Sequence, residues 1–460
     1  MKKINLLLLA LASFIQLNAA PSLTVNIKKY GAKGDGKTLN TQAINKAIET
    51  CADQGGGTVV IPSGTFLTGT IHLKSHVSLY LEKGAVIRGS PDLNLYQPYI
   101  PTKEMNQYDN AHKYKWNRAL ILGVGVDDVS IGGEGIIDGN HVFDAEGEEN
   151  MRGPHTIVIG ESRNITLSSL TVNRAANYGF MAYEIENAVF QHLIFNEGWD
   201  GIHIRGGKNM MIRNCEFYTG DDAIAGGYWE NMVITDCHIN SSCNGIRMIM
   251  PATDLEIGHC TFDGPGKFPH RTSKELKRKN MLSAILLQPG GWGAAPGRMD
   301  KIHIHDINIS DLDNPLMFIL NQGNDSEDIL VERINAKGIN KSACSVESWK
   351  GGSFGSVTFR DISIEYVGHN DPGLKNLTAG QPHVDSRELP CWGWFARNVK
   401  QLVFENVTLE YTGTEVRPAF CFDNVSEVVF DQVKYKSVPE TEGIIFHNSG
   451  EIKEISTPIP

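Results

Sequence analysis

Three aspartates carry the chemistry: Asp200, then the adjacent pair Asp221 and Asp222 some twenty residues further on. Carboxylates brought together repel one another, so folding alone does not favour such a cluster. Acid–base hydrolysis does need it, because one carboxyl must hold a proton while another activates water. Cleavage of a glycosidic bond is the reaction these residue types suit best. Polar neighbours follow on the same segments, in Asp200-Gly201-Ile202-His203-Ile204-Arg205 and Asn244-Gly245-Ile246-Arg247.

The spacing matters because the chain repeats itself. Asn164, Asn187, Asn209, Asn231 and Asp254 each open a short apolar segment, at steps of 23, 22, 22 and 23 residues. Weaker copies start at Asp300, Glu327, Ser356, Lys400 and Glu427. Within each copy apolar and polar residues alternate, the period of a strand with one buried face. Leucine-rich repeats share this length but carry spaced leucines, and propeller blades are about twice as long. The predicted fold is therefore all-β, a right-handed parallel β-helix. Neighbouring strands lie about 4.8 Å apart, which puts the three carboxylates within roughly 4–10 Å. That range includes the ~6.5–9.5 Å separation of an inverting glycosidase.

Other elements must cap and furnish this solenoid. Asn40 can cap an amphipathic helix through Ile44, Ala47, Ile48 and Cys51, closed by Gly55-Gly56-Gly57, over the open N-terminal end. Insertions near 95–117, 139–155, 264–298 and 368–392 break the repeat and are predicted to wall a groove. The repeated Asn suits either stacked side-chain amides or a turn. Cys215, Cys237 and Cys260 recur at one place in three copies and are expected as free, buried thiols.

Residues 1–20 read as a secretory signal: Lys2 and Lys3, an apolar run from Ile4 to Leu17, then Ala19 and Ala20. Residues 21–460 are then a single β-helix domain, exported to the periplasm or outside the cell and expected to be a monomer. Outside that leader there is no apolar run long enough for a membrane span. The 460 residues carry a formal net charge of −11 with 41% hydrophobic content, which argues against nucleic acid as a partner and leaves ample core.

The chain resembles glycoside hydrolase family 28, the polygalacturonase and rhamnogalacturonan hydrolase family. The resemblance runs over about 25–435 and is carried by Tyr30-Gly31-Ala32-Lys33-Gly34-Asp35-Gly36, Gly133-Glu134-Gly135-Ile136-Ile137-Asp138-Gly139 and above all Gly220-Asp221-Asp222. It implies an inverting hydrolase acting on pectic or related acidic polysaccharide, without cofactor or metal. Asp221 would protonate the leaving oxygen, and Asp200 and Asp222 would activate water. The chain departs from the family at three places. Gly198-Trp199-Asp200 replaces Asn-Thr-Asp, Cys243-Asn244-Gly245 replaces Gly-His-Gly, and Leu286-Leu287-Gln288 replaces the uronate-holding Arg-Ile-Lys.

Asn244, Arg247, His203, Arg205 and Gln288 are the candidate substrate contacts. Plainer alternatives stand beside several: a ladder or turn amide for Asn244, a surface histidine for His203, and a surface salt-bridge partner for Arg205, as for the nearby Lys208. Trp199 and Trp229 are either sugar-stacking platforms or core. The basic run Lys267 to Lys279 is either a solvated loop or a cleft rim. Two rival functions stand beside hydrolysis: a polysaccharide lyase using calcium and an Arg or Lys base, and a carbohydrate-binding β-helix without catalysis.

Overall fold

The computed structural model describes residues 23–108, 110–273, 277–383, 385–450 and 452–456; the expected leader lies outside them. Parallel strands stack coil upon coil along the chain, as the repeat predicted. Only Gln97–Pro98 pairs antiparallel, against Arg118–Ala119, among the described residues. The strands that position the site are β1 (Phe180–Gln191), β2 (Ile202–Arg213), β3 (Ile224–Thr235), β4 (Asn244–Met248) and β5 (Ser283–Leu287).

The register explains the sequence period. Phe180 pairs with Ile202, Ile202 with Ile224, Ile224 with Ile246, and Ile246 with Ile285, so one apolar column fills the interior. Phe195 and Phe217 stack in parallel with ring centroids 5.2 Å apart. Cys215, Cys237 and Cys260 are buried free thiols, and the other five cysteines are also free.

The repeated asparagines serve both suggested purposes. Asn164, Asn187, Asn209 and Asn231 adopt φ of 57°, 54°, 54° and 57°. Asparagine tolerates this left-handed region better than most residues. Their amides also form a ladder: Asn187 donates to Asn164 (3.1 Å), Asn209 to Asn187 (3.1 Å) and Asn231 to Asn209 (2.8 Å).

Helix α1 (Thr41–Asp53) buries Ile44, Ala47, Ile48 and Cys51 over the N-terminal end of the core. Its start matches the expectation, but Asn40 does not cap it with its side chain. That amide instead accepts from the Lys33 N–H (2.7 Å) and donates to the Thr38 carbonyl (2.6 Å), tying down the preceding loop.

Candidate active site

The three aspartates do converge. Each offers a carboxylate oxygen within 4.8 Å of the others, and all three are buried. They come this close because the turn before each strand stacks Asp200 on Asp222 and sets Asp221 beside them. Gly179 N–H donates to the Asp200 carbonyl, Gly201 to that of Asp222 and Ala223 to that of Asn244, at 2.8, 3.0 and 3.0 Å. Asp200, Asp222 and Asn244 therefore form one column, and Asp221 follows Trp199 in the column beside it.

Each carboxylate has different partners. Asp200 lies 2.7 Å from His203 Nδ1, and His203 Nε2 accepts from Arg205 Nε at 3.1 Å. The Arg205 donor fixes the tautomer, leaving the histidine proton on Nδ1, aimed at Asp200. Burial holds His203 well below the usual histidine range, so it is neutral. Burial and the charges of Asp221 and Asp222 push Asp200 well above the usual carboxylate range. With Oδ2 taken by His203, a proton on Asp200 belongs on Oδ1.

Asp222 accepts from the Asn244 backbone N–H (3.0 Å), the Asn244 amide (2.8 Å) and Arg247 Nη1 (3.2 Å). Burial nonetheless raises its proton affinity, with Arg247 opposing. Asp221 faces Arg152 Nη2 at 3.2 Å and His270 Nε2 at 3.6 Å. Burial works against its charge, but His270, Arg152 and Arg247 outweigh it and hold Asp221 well below the usual range. These directions favour a proton on Asp200 or Asp222 over one on Asp221.

The cleft above these groups encloses about 470 Å³, inside the roughly 300–1,000 Å³ typical of small-ligand sites. All four inserted segments wall it, through Asn110 and Trp116, Glu149 and Arg152, His270 and Trp292, and Asp385. Arg152 is the keystone among them. It donates to Glu149 (2.7 Å) and sits 5.1 Å over the Trp199 ring and 5.6 Å over that of Tyr178. The carboxylate cluster could in principle hold a cation, but the Arg152 and Arg247 guanidinium groups already meet Asp221 and Asp222.

Among the candidate substrate contacts, His203, Arg205 and Arg247 line the cleft. Arg247 is buried, yet its Nε and Nη2 have no partner among the described residues, and its guanidinium sits 5.1 Å over the Trp292 ring. His203 has both ring nitrogens occupied within the protein. The Asn244 amide N–H donates to Asp222, and its Oδ1 has no partner among the described residues. Gln288 is buried and donates to the His383 carbonyl at 2.8 Å, off the cleft wall. Leu286, directly beside Arg247 in register, packs with Met317 and Ile319.

Trp199 and Trp229 are both core; the Trp229 indole donates to the Ile204 carbonyl at 2.9 Å. Lys208 forms an exposed ion pair with Glu230. The basic run splits. Arg271 pairs with Glu197, Lys267 lies 4.6 Å over Tyr218, and His270 and Arg278 reach the cleft; 274–276 lie outside the described residues. Sequence reasoning missed Arg152, His270 as an Asp221 partner, Tyr178 and Trp292. Apart from Tyr178 these sit on insertions, where no repeat marks a position.

A solenoid of parallel coils with a buried carboxylate cluster under loop walls defines the class, a right-handed parallel β-helix. Residues 24–247 match the family model described as rhamnogalacturonase A/epimerase, pectate lyase-like. The chain is 30% identical over 249 residues to an exo-poly-α-D-galacturonosidase from Dickeya chrysanthemi, covering 44% of this chain and 41% of that protein. It is 27% identical over 215 residues to a probable polygalacturonase from Vitis vinifera, covering 44% of each. The chain thus spans less than half the length of these two relatives. A family 28 exopolygalacturonase from Yersinia enterocolitica shares the fold, with TM-score 0.59 at 18% identity over 96% of this chain and 80% of that one. In sequence and fold together, the chain resembles glycoside hydrolase family 28.

Proposed function

We propose that this chain is an exported inverting glycoside hydrolase acting on a pectic or related acidic polysaccharide, at chain ends or on short oligosaccharides. The carrying observation is the buried cluster of Asp200, Asp221 and Asp222 beneath a cleft that insertions wall on several sides. Asp221 protonates the glycosidic oxygen as the bond to the anomeric carbon breaks. A water held between Asp200 and Asp222 attacks that carbon and gives its proton to Asp222, the carboxylate with three donors on it. His203 and Arg205 orient Asp200. Support for inversion comes from the family resemblance. Two relatives named for galacturonic-acid polymers support the substrate class.

Arg247 lines the cleft, and its Nε and Nη2 have no partner among the described residues, which supports a role in meeting a uronate carboxylate. It sits one coil before Leu286, where the family carries its Arg. Purified protein screened on pectic oligosaccharides, with product configuration followed by NMR, tests the proposal. Saturated products with inverted configuration, unaffected by chelator, are expected. A retained configuration refutes inversion, and an unsaturated product absorbing in the near ultraviolet replaces hydrolysis with the lyase reading. No cleavage of any substrate favours the binding protein.

A further inference from the structure

The loop carrying His270 has a close fit against the turn that holds Asp221. Gly220 precedes that aspartate, and a Cβ there would lie 2.9 Å from the Pro269 carbonyl oxygen and 2.5 Å from that of Gly198. Only glycine lets the loop come down this far. The loop is also tied from two sides: Thr272 donates to Glu149 (2.7 Å), and Arg271 pairs with Glu197. His270 N–H further donates to the Arg278 carbonyl at 3.0 Å across the loop itself. The side chain so placed is buried and points Nε2 at Asp221 Oδ2, 3.6 Å away.

We propose that His270 is a positioning residue that stores the proton Asp221 donates, taking the place of the histidine absent from Cys243-Asn244-Gly245. This rests on the hydrolase reading above. In the resting site the pair is His270-H⁺ with Asp221⁻, which carries the same proton count as neutral His270 with protonated Asp221. When substrate enters, the proton crosses from Nε2 to Asp221 and on to the glycosidic oxygen. The C–O bond then breaks with its electron pair going to that oxygen. Water supplies the new O–C bond, and its released proton returns through Asp222 and solvent to His270.

The groups facing His270 are consistent with this. Asp221 raises its proton affinity, while Arg278 on its own loop, Arg152 on the neighbouring loop and burial itself oppose; the net direction is upward. Cys243 Sγ lies within 4.8 Å of both His270 and Asp221, but burial pushes its thiol well up, so it stays protonated.

The first arm of the test needs no substrate. In ¹⁵N-histidine-labelled protein, His270 is expected to keep its ring proton to higher pH than an ordinary histidine at about 6.5. In Asp221→Asn that midpoint should fall. A His270 midpoint that Asp221→Asn leaves unmoved overturns the proposal, whether or not any glycoside is cleaved. The second arm uses the pectic oligosaccharide that wild type cleaves best, beside 4-nitrophenyl galacturonide, whose leaving group needs little protonation. His270→Gln should lower kcat on the oligosaccharide by about 10²-fold at constant KM. It should move the alkaline limb of the pH profile downward and spare the aryl substrate. Equal losses on both substrates, or a change in KM alone, overturn the storage role. Failure to cleave any glycoside refutes the hydrolase reading, and the titration then decides the pair on its own.

Discussion

Asp221 and Asp222 are chain neighbours, yet the molecule holds them by different means. Asp222 is gripped from the solenoid itself, by Asn244 and Arg247 on strand β4 one coil away. Asp221 is gripped by Arg152 and His270, both on insertions. Under the proposed assignment, the coils fix the side of the site that handles water, and the loops fix the side that handles the leaving group. A solenoid core is rigid and repeats in register, so it suits a geometry that must not vary. Loops can differ between relatives without disturbing the core, so they suit the half that meets different sugars.

The largest effect should come from either acid. Asp221→Asn and Asp222→Asn each remove a proton-transfer group, a loss of about 10²–10⁴-fold in kcat. Far-ultraviolet circular dichroism and melting should remain near wild type, since the amide is nearly isosteric. If Asp221→Asn keeps more than about a tenth of the rate on natural substrates, the assignment of acid to the loop-held side fails.

Arg247 gives the next contrast. A charge-assisted hydrogen bond contributes about 1.5–3 kcal/mol, or roughly 10–10²-fold. Arg247→Ala also loosens Asp222, so the informative quantity is a ratio. The loss of kcat/KM on free uronate oligosaccharides should exceed that on their methyl esters by about tenfold. Equal losses would confine Arg247 to holding Asp222.

Asp200 should separate activity from stability. Its proton affinity is raised in the folded state, by burial and by its two neighbouring carboxylates. A carboxyl raised in this way contributes stability below the unfolded value of about 3.9, and loses it as pH rises through the folded value. At neutral pH the ionised group is a liability. Asp200→Asn should then abolish turnover yet raise the melting temperature at pH 7–8 by on the order of 1–3 °C, with the gain vanishing near pH 4. A fall in melting temperature at pH 7–8 would show that the Asp200–His203 contact outweighs the repulsion.

What the sequence disclosed follows the same division. The coils were legible because a 22-residue step and alternating apolar positions leave few folds, and the three aspartates lie on those coils. Arg247 was legible for the same reason, being on strand β4. His203 and Asn244 were legible as neighbours of the acids, but their hydrogen bonds to Asp200 and Asp222 were not, since spacing says which residues are close and not which lone pair each one uses. Arg152 and His270 stayed hidden because their approach to Asp221 spans 69 and 49 residues of chain through insertions without a period. Trp292 was equally silent: an exposed tryptophan in a Gly-rich loop becomes meaningful only once Arg247 is found beneath its ring.

The smallest effects should sharpen the contrast between coil and loop. Asn209 donates one ladder bond and accepts another, and it sits at φ 54° on the coil surface. Asn209→Ala loses both bonds, each worth about 0.5–1.5 kcal/mol, and adds left-handed strain of about 1–2 kcal/mol. Asn209→Gly removes the strain and keeps only the loss of the bonds, so it should melt between wild type and Asn209→Ala. Neither should alter KM, because Asn209 lies away from the cleft-lining residues. Thr272→Ala is the converse. Its hydroxyl donates only to Glu149, in the loop wall, so melting should stay put while kcat falls a few-fold as Arg152 loosens. Melting curves and initial rates on the same three variants decide it. If Thr272→Ala destabilised the protein as much as Asn209→Ala, the loops would be part of the framework, and the division between rigid coil and adaptable wall would have to be given up.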